Sequence, residues 1–328
     1  MIRIFFRIIT AAAVVVCLTY TLVQATDYPM KPITIINPMA PGGTRDVMAR
    51  AFASVAEKYL GQPVVVVNKP GASGLIGGLA GAQAQPDGYN ITVNSTGETC
   101  ALEWEIANGR KPPFTRHDIQ PIGTFSLSPT LVVVPYNSPW KLLSDLMRDC
   151  RTKPNYYAFG CGGLYGGSHL PGVVLAKAGG ITVRVVPYKG GGEVLTATVG
   201  GHVDFSCQFT PTTIPLVRGN KLRALAVQSE KRVKAMPDIP TVKELGFDAQ
   251  WHQWTGITVP KKTPAPVVEK LKEVVKKVAE DKTFIGMIEN QGDEVVFMDS
   301  DQLTRFWDNE SEMIAKLYKQ LLEEQKKK

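Results

Sequence analysis

From residue 33 onward, short apolar runs of strand length alternate with runs whose apolar residues recur at helical spacing, and glycine-rich turns separate them. That alternation predicts an α/β fold on mostly parallel sheets, because a helix carries the chain back to start a strand beside the last one. Ile33 to Asn37 reads as a strand, and Thr44 caps a helix with Val47, Ala51, Val55 and Tyr59 on one face, ended by Gly61. Val64 to Val67, four valines in a row, reads as a strand buried on both faces. Further strands are expected at Tyr89–Val93 and Leu131–Val134. After Pro135 the pattern restarts: Ser138-Pro139 opens a helix, strands follow at 157–161, 184–186, 203–207 and 222–227, and helices begin at Ser168, Gly192 and Pro211. A last block has a strand at 256–259, a helix after Thr263-Pro264, a strand at 295–298 and a long helix from Ser300.

No polar linker marks a domain boundary. The apolar connections near Val134 and Val227 suggest that the chain crosses between two lobes and returns, giving 26–134 plus 228–328 as one lobe and 135–227 as the other. Two such crossings make a hinge. The first 25 residues read as an export signal: Arg3 and Arg7, an apolar run from Ile8 to Val23, then Val23-Gln24-Ala25. Thr10, Thr19, Tyr20 and Thr21 interrupt a run already short for a membrane span of about 20 residues. The chain is therefore expected to be exported.

The formal net charge is +7, and Arg3 and Arg7 leave with the signal while Lys326-Lys327-Lys328 form a basic tail. Mild basicity fits an anionic small molecule, and no interleaving of basic and aromatic residues points to nucleic acid. Cys100, Cys150, Cys161 and Cys207 form no CxxC pair, so a zinc or redox centre is not expected. A Cys161–Cys207 bridge and buried free thiols both remain open.

Catalytic patterns fail in turn. Gly71-Ala72-Ser73-Gly74-Leu75-Ile76-Gly77 is spaced GxxGxxG, where a dinucleotide fingerprint needs GxGxxG. Ser168 lacks the second glycine of a GxSxG elbow, and the four histidines show no metal-ligand spacing. What does recur is a glycine or small polar turn after each strand, at 38–46, 71–77, 94–99, 160–169, 187–192 and 208–212. Ligands of open α/β sheets bind at the carboxyl ends of strands, and helix N-termini there offer unpaired N–H groups to anions. The candidate contacts are Ala40, Pro41, Gly42, Gly43, Ser95, Thr96, Gly163, Gly167, Ser168, His169, Tyr188, Lys189, Gly190, Gly191, Phe209 and Thr210. Asp46 and Asp204 are each either a structural cap or a water-holding site residue. Arg45 and Lys189 are candidates to bring charge, and Tyr165, Phe209, Trp251 and Trp254 to pack on an apolar ligand body.

The sequence resembles the periplasmic solute receptors of tripartite tricarboxylate transporters, the Bug or TctC family. The resemblance rests on Pro38–Asp46, Gly61–Ala72, Pro86-Asp87-Gly88-Tyr89, Ser168-His169-Leu170, Val186–Gly192, Gly200–Asp204, Leu222–Val227, Pro237–Thr241 and Trp254-Thr255-Gly256. It implies a type II periplasmic-binding-protein-like fold: two lobes, a mostly parallel sheet in each, and a two-crossing hinge. It implies a cofactor-free monomer that is not an enzyme and that delivers a small organic acid to membrane permease subunits. That acid is a di- or tricarboxylate, an acidic amino acid or an aromatic acid. Ala40–Gly43 would hold a carboxylate through backbone amides and bridging waters, and the Ser168-His169 and Lys189–Gly192 turns would close from the other lobe. Two departures stand out: Pro41 replaces the usual alanine and removes a backbone donor, and Glu98 places a carboxylate at the mouth of an anion site. The competing readings are an exported hydrolase using Ser168 and His169, and a ligand sensor feeding a kinase.

Overall fold

The computed structural model describes residues 28–326, so the export signal read at 1–25 lies outside the described residues. The first lobe begins with β1 (Ile33–Asn37), α1 (Thr44–Leu60), β2 (Val64–Asn68), α2 (Leu75–Ala82), β3 (Asn90–Ser95) and α3 (Thr96–Ala107). β4 (Ile119–Pro135) leads into α4 (Leu143–Thr152), β5 (Ala158–Cys161), α5 (Leu170–Gly179), β6 (Arg184–Pro187), α6 (Gly191–Val199), β7 (Phe205–Phe209), α7 (Thr210–Arg218) and β8 (Leu222–Val227). The chain ends with β9 (His252–Pro260), α8 (Ala265–Glu280), α9 (Lys282–Asn290) and α10 (Ser300–Lys326).

The strands run in the order β2-β1-β3-β9-β4-β7-β5-β6, with β8 also on β4. β1 pairs in parallel with β2 and β3, and β5 with β6 and β7, so both lobes are built on parallel βαβ units. Every antiparallel pair involves β4 or β9, the strands near the hinge. β4 is shared: up to Pro129 it pairs with β9, and from Thr130 it pairs with β7 and then β8. We therefore propose the first crossing at Pro129-Thr130, where β4 changes partner inside one continuous strand.

The return differs from the sequence division. Val242, Phe247 and Ala249 pack on the core under β5 and β7, and Val233, Met236 and Ile239 pack under β8. Thr130 donates its N–H to the Trp251 carbonyl, and Trp251 donates to Gln228. We therefore propose the second crossing at Trp251-His252, with residues 228–250 riding on the second lobe. Gln228 fixes this hinge: its Oε1 accepts from Thr130 Oγ1 at 2.7 Å, and its Nε2 donates to the carbonyls of Pro171 and Ala249. α10 adds a third link, since Leu303 and Trp307 pack in the first lobe while Ile314 and Tyr318 pack with Leu170 and Phe209.

Several local expectations change. β2 is an edge strand with Val65 52% and Val67 38% exposed, so the valine run is covered on one face rather than two. The helix expected at Ser138 starts at Leu143 instead, where Asp145 accepts the N–H groups of Leu142 and Lys141; Ser138 Oγ only closes a turn onto the Trp140 N–H. Residues 295–298 form no strand, although Met298 donates to Thr124 Oγ1 and accepts from the Thr124 N–H. Cys161 and Cys207 are free and buried, as are Cys100 and Cys150, so the bridge is not formed.

One glycine fixes the loop that leads into α1. A Cβ on Gly77 would lie 2.5 Å from Pro38 Cα and 2.7 Å from the Lys69 carbonyl oxygen, because α2 presses directly on the backbone there. Gly77→Ala should destabilise the chain by about 1–3 kcal/mol, the usual cost of overpacking. Urea denaturation reads the loss, and ligand titration should show weaker binding because residues 38–43 shift.

Candidate ligand-binding site

Five helices begin at the carboxyl ends of strands and point their N-termini toward the junction between lobes. α1 and α3 belong to the first lobe, and α5, α6 and α7 to the second. Contacts close these ends into a ring. Thr44 Oγ1, at the start of α1, lies 3.0 Å from Thr212 Oγ1 in the first turn of α7. A Cβ on Gly167 would come within 3.2 Å of Gly97 Cα, joining the loop before α5 to the first turn of α3. A Cβ on Gly162 would come within 3.1 Å of the Gly191 nitrogen, and one on Gly163 within 3.3 Å of Ser73 Oγ. The lobes are therefore in contact across the cleft, and bulk at Gly163 or Gly167 would force them apart, whereas Gly162 packs within the second lobe.

The α1 and α6 N-termini carry no side-chain cap, since Gly43 and Gly190 occupy the capping positions. Unpaired first-turn N–H groups at the positive end of a helix dipole are donors for an anion. Ala40 and Gly43 are half-buried, while Pro41 and Gly42 are exposed. Asp46 takes the role of loop brace: it accepts from the Gly42 N–H at 3.0 Å, from Asn68 Nδ2 at 2.8 Å and from Arg50 Nε at 3.1 Å. Burial pushes its carboxyl up, but these hydrogen bonds outweigh burial and hold it below the usual range.

Ser95 caps α3, accepting from the Gly97 N–H while Glu98 Oε2 accepts the Ser95 N–H at 3.0 Å. Glu98 is not open at the mouth: it is fully buried and ion-paired with Arg45, whose other terminal nitrogen donates to Ser95 Oγ. Burial raises the Glu98 carboxyl, and Arg45 opposes that rise. Thr96 binds away from the cleft, donating at 2.7 Å to Glu310 of α10.

In the second lobe, Ser168 Oγ accepts the Gly162 N–H at 2.9 Å, and His169 Nδ1 accepts the Tyr165 N–H at 3.1 Å. Each shapes the turn, and neither is bonded to the other as a nucleophile and base would be. Burial lowers the His169 imidazole to about 4, so it is neutral at neutral pH. Tyr165 stacks on Trp104 of α3 with ring centroids 3.5 Å apart, and its carbonyl accepts from Tyr318 of α10. Tyr165 thus belongs to the interlobe contact. Lys189 is exposed, with its N–H given to Glu193, and Tyr188 packs beside Ala158, Ala197 and Val203. Phe209 joins the interlobe cluster with Trp251, and Thr210 Oγ1 contacts the buried Asp293. Trp254 is core, with its indole N–H on Glu310.

Asp204 stands apart. It precedes β7, at the end of that strand opposite Phe209, and its carboxylate accepts the Ala158 N–H at 2.6 Å. It holds two strands together at the far side of the second lobe.

The sequence reading missed the floor of the junction. Ser95, Thr255 and Ser126 lie side by side across β3, β9 and β4, so their side chains share one face. Ser126 Oγ, Thr255 Oγ1 and Gln208 Nε2 are buried without a protein partner among the described residues, as is Arg45 Nε. A buried polar group left unpaired is costly, and these atoms keep donor capacity that the surrounding protein does not use. The alternation Thr124-Phe125-Ser126-Leu127-Ser128-Pro129-Thr130 carried the signal: a period-two polar face, here turned inward.

The model of the tripartite tricarboxylate transporter family receptor matches residues 48–322. The chain belongs to that family. It is 30% identical over 285 residues to BugT of Bordetella pertussis, covering 87% of each chain. It is similar in structure to the periplasmic binding protein BugD, at 30% identity and a TM-score of 0.81 over 89% of this chain and 98% of that one. It is also similar to MatC of Rhodopseudomonas palustris, solved with bound malate, at 25% identity and a TM-score of 0.81 over 89% of this chain and all of that one. The architecture is that of the two-lobed periplasmic binding proteins. Among the described residues, no helix is long and apolar enough to cross a membrane, and no cluster of potential metal ligands occurs.

Proposed function

We propose that this chain is an exported receptor that closes around one small carboxylate between its lobes and hands it to a tripartite-type membrane permease. The observation that carries the reading is the ring of helix N-termini, three from one lobe and two from the other, meeting at Thr44–Thr212 and Gly97–Gly167. A guest held from both sides has contacts in the closed form that the open form lacks, which is the condition for ligand-driven closure. The malate bound by MatC favours a carboxylate as the guest. Carboxylate oxygens suit a lining of unpaired N–H and O–H donors.

A receptor, rather than a hydrolase, is favoured by the separate duties of Ser168 and His169. Ser168→Ala should weaken binding modestly through the Gly162 turn and reveal no turnover to lose.

Native mass spectrometry of freshly purified protein tests the reading, because a closed receptor retains its guest. A thermal-shift panel of mono-, di- and tricarboxylates, acidic amino acids and aromatic acids complements it. At one hundred times the dissociation constant, the correct ligand should add about 2.7 kcal/mol and raise Tm by roughly 5 °C. No retained mass and no shift across the panel would count against a receptor for small acids.

A further inference from the structure

Among the described residues, Arg45 is the one Lys or Arg that is buried, and it lies on the first turn of α1 at the lobe junction. Its side chain is 2% exposed and that of Glu98 is 0% exposed. Glu98 is saturated: one oxygen takes Arg45 Nη1, and the other takes the Ser95 N–H and hydroxyl. Arg45 is not saturated. Nη1 and Nη2 donate to Glu98 and Ser95, while Nε finds no acceptor. The guanidinium runs beneath Gly97, with Nη2 2.6 Å from where a Cβ of that glycine would be, and Gly97 faces Gly167 of the closing lobe. A charged N–H is thus held in one orientation at the junction, without a protein oxygen to receive it.

The surrounding charges limit what that N–H can accept. Asp46 is matched by Arg50, and Lys189 is exposed. Glu310 and Asp293 are further buried carboxylates behind α3 and α7. No buried cation among the described residues is left uncancelled. Ligand charge must therefore rest on helix N-termini, each worth about half a charge, and on neutral donors.

We propose that Arg45 is the specificity-determining donor of the cleft and that Glu98 cancels its charge, so that the site takes a mono- or dicarboxylate and rejects a tricarboxylate. The proposal rests on the receptor reading above. Arg45 Nε reads one ligand oxygen, and the Glu98 clamp supplies both its fixed aim and the limit on anionic charge.

Isothermal titration of acetate, malate, adipate and citrate into wild type, Glu98→Gln, Arg45→Gln and the double variant tests this. Glutamine also completes the Ser95 capping pattern, so Glu98→Gln preserves the start of α3. Wild type should bind its best mono- or dicarboxylate at least tenfold tighter than citrate. Glu98→Gln, with Arg45 uncancelled, should shrink that ratio at least tenfold. Arg45→Gln should weaken every acid at least thirtyfold and widen the ratio. The double variant should bind weakly with a ratio near that of wild type, and it supplies the comparison with Arg45→Gln if Glu98→Gln does not fold. A structural role alone would change unliganded Tm without reordering the acids. A wild-type preference for citrate, or ratios unchanged within twofold across the variants, overturns the proposal while leaving the receptor reading intact. Binding of none of the four acids, together with no response across the wider panel of acidic amino acids and aromatic acids, overturns both.

Discussion

Gly167→Val should reduce ligand affinity by about 10- to 100-fold while leaving the unliganded fold near its normal stability. A Cβ at Gly167 would already touch Gly97 at 3.2 Å from Cα and 3.4 Å from the nitrogen, and valine adds two methyl groups beyond it. These atoms belong to opposite lobes, so the clash exists only when the cleft is shut. Overpacking of about 1–3 kcal/mol then falls on the closed form alone and appears as weakened binding. Titration calorimetry measures the affinity and thermal unfolding without ligand measures the fold. A variant that binds as tightly as wild type would show that closure at Gly97–Gly167 does not accompany binding. A variant that simply unfolds would place the clash within the fold rather than between lobes.

Glu310 should make stability fall as pH rises, and Glu310→Gln should remove most of that slope. The carboxylate is buried and receives Thr96 Oγ1 at 2.7 Å, Thr99 Oγ1 at 3.0 Å and the Trp254 indole at 2.8 Å. Burial nonetheless outweighs these donors and raises it from 4.5 to about 7. Between those values the folded chain keeps a proton that the unfolded chain has lost, so stability declines through this window and levels off above it. Each pH unit of the window costs about 1.4 kcal/mol, which makes the decline about 3 kcal/mol between roughly pH 4.5 and pH 8. Asp293, raised by burial from 3.8 to about 6 despite donation from Ser128 and Thr210, adds a decline of the same sign at lower pH. Denaturant titrations at pH 5 and pH 8 on both proteins isolate Glu310. Equal slopes for wild type and variant would mean that this carboxyl does not titrate differently on folding.

The consequence reaches the site. Glu310 ties α10 to Thr96, the residue beside the Ser95 cap and the Arg45 contact. α10 continues to Tyr318, whose hydroxyl holds the Tyr165 carbonyl of the opposing loop. A weakening of the Glu310 cluster therefore loosens both walls of the cleft.

The parallel βαβ units were legible because each pairs an apolar strand with a helical stripe and a glycine stop, as at Ile33–Asn37, α1 and Gly61. β4 was legible only in its last apolar residues. Its first part, Ile119–Thr130, contains two prolines, a glycine and four hydroxyl residues, so low strand propensity masks the period-two alternation of residues 124–130. It becomes one because β9 supplies its hydrogen-bonding partner along most of that length. The valine run at 64–67 misled in the opposite sense, since local hydrophobicity cannot say whether a strand ends up central or at an edge. In the site, the glycine turns announced themselves by type and place. The Arg45–Glu98 pair did not, because its members are 53 residues apart and only the neighbouring starts of α1 and α3 bring them together. Asp204 sits in a recognisable motif yet serves the opposite end of its strand, which the motif alone does not reveal.

The central claim is that backbone amides from both lobes hold a single guest, and amide hydrogen exchange with and without the identified ligand tests it most directly. Protection should rise together at residues 42–46 and 95–98 in the first lobe and at 162–169 and 190–194 in the second. Protection confined to one lobe, or equal exchange in both states, would contradict it.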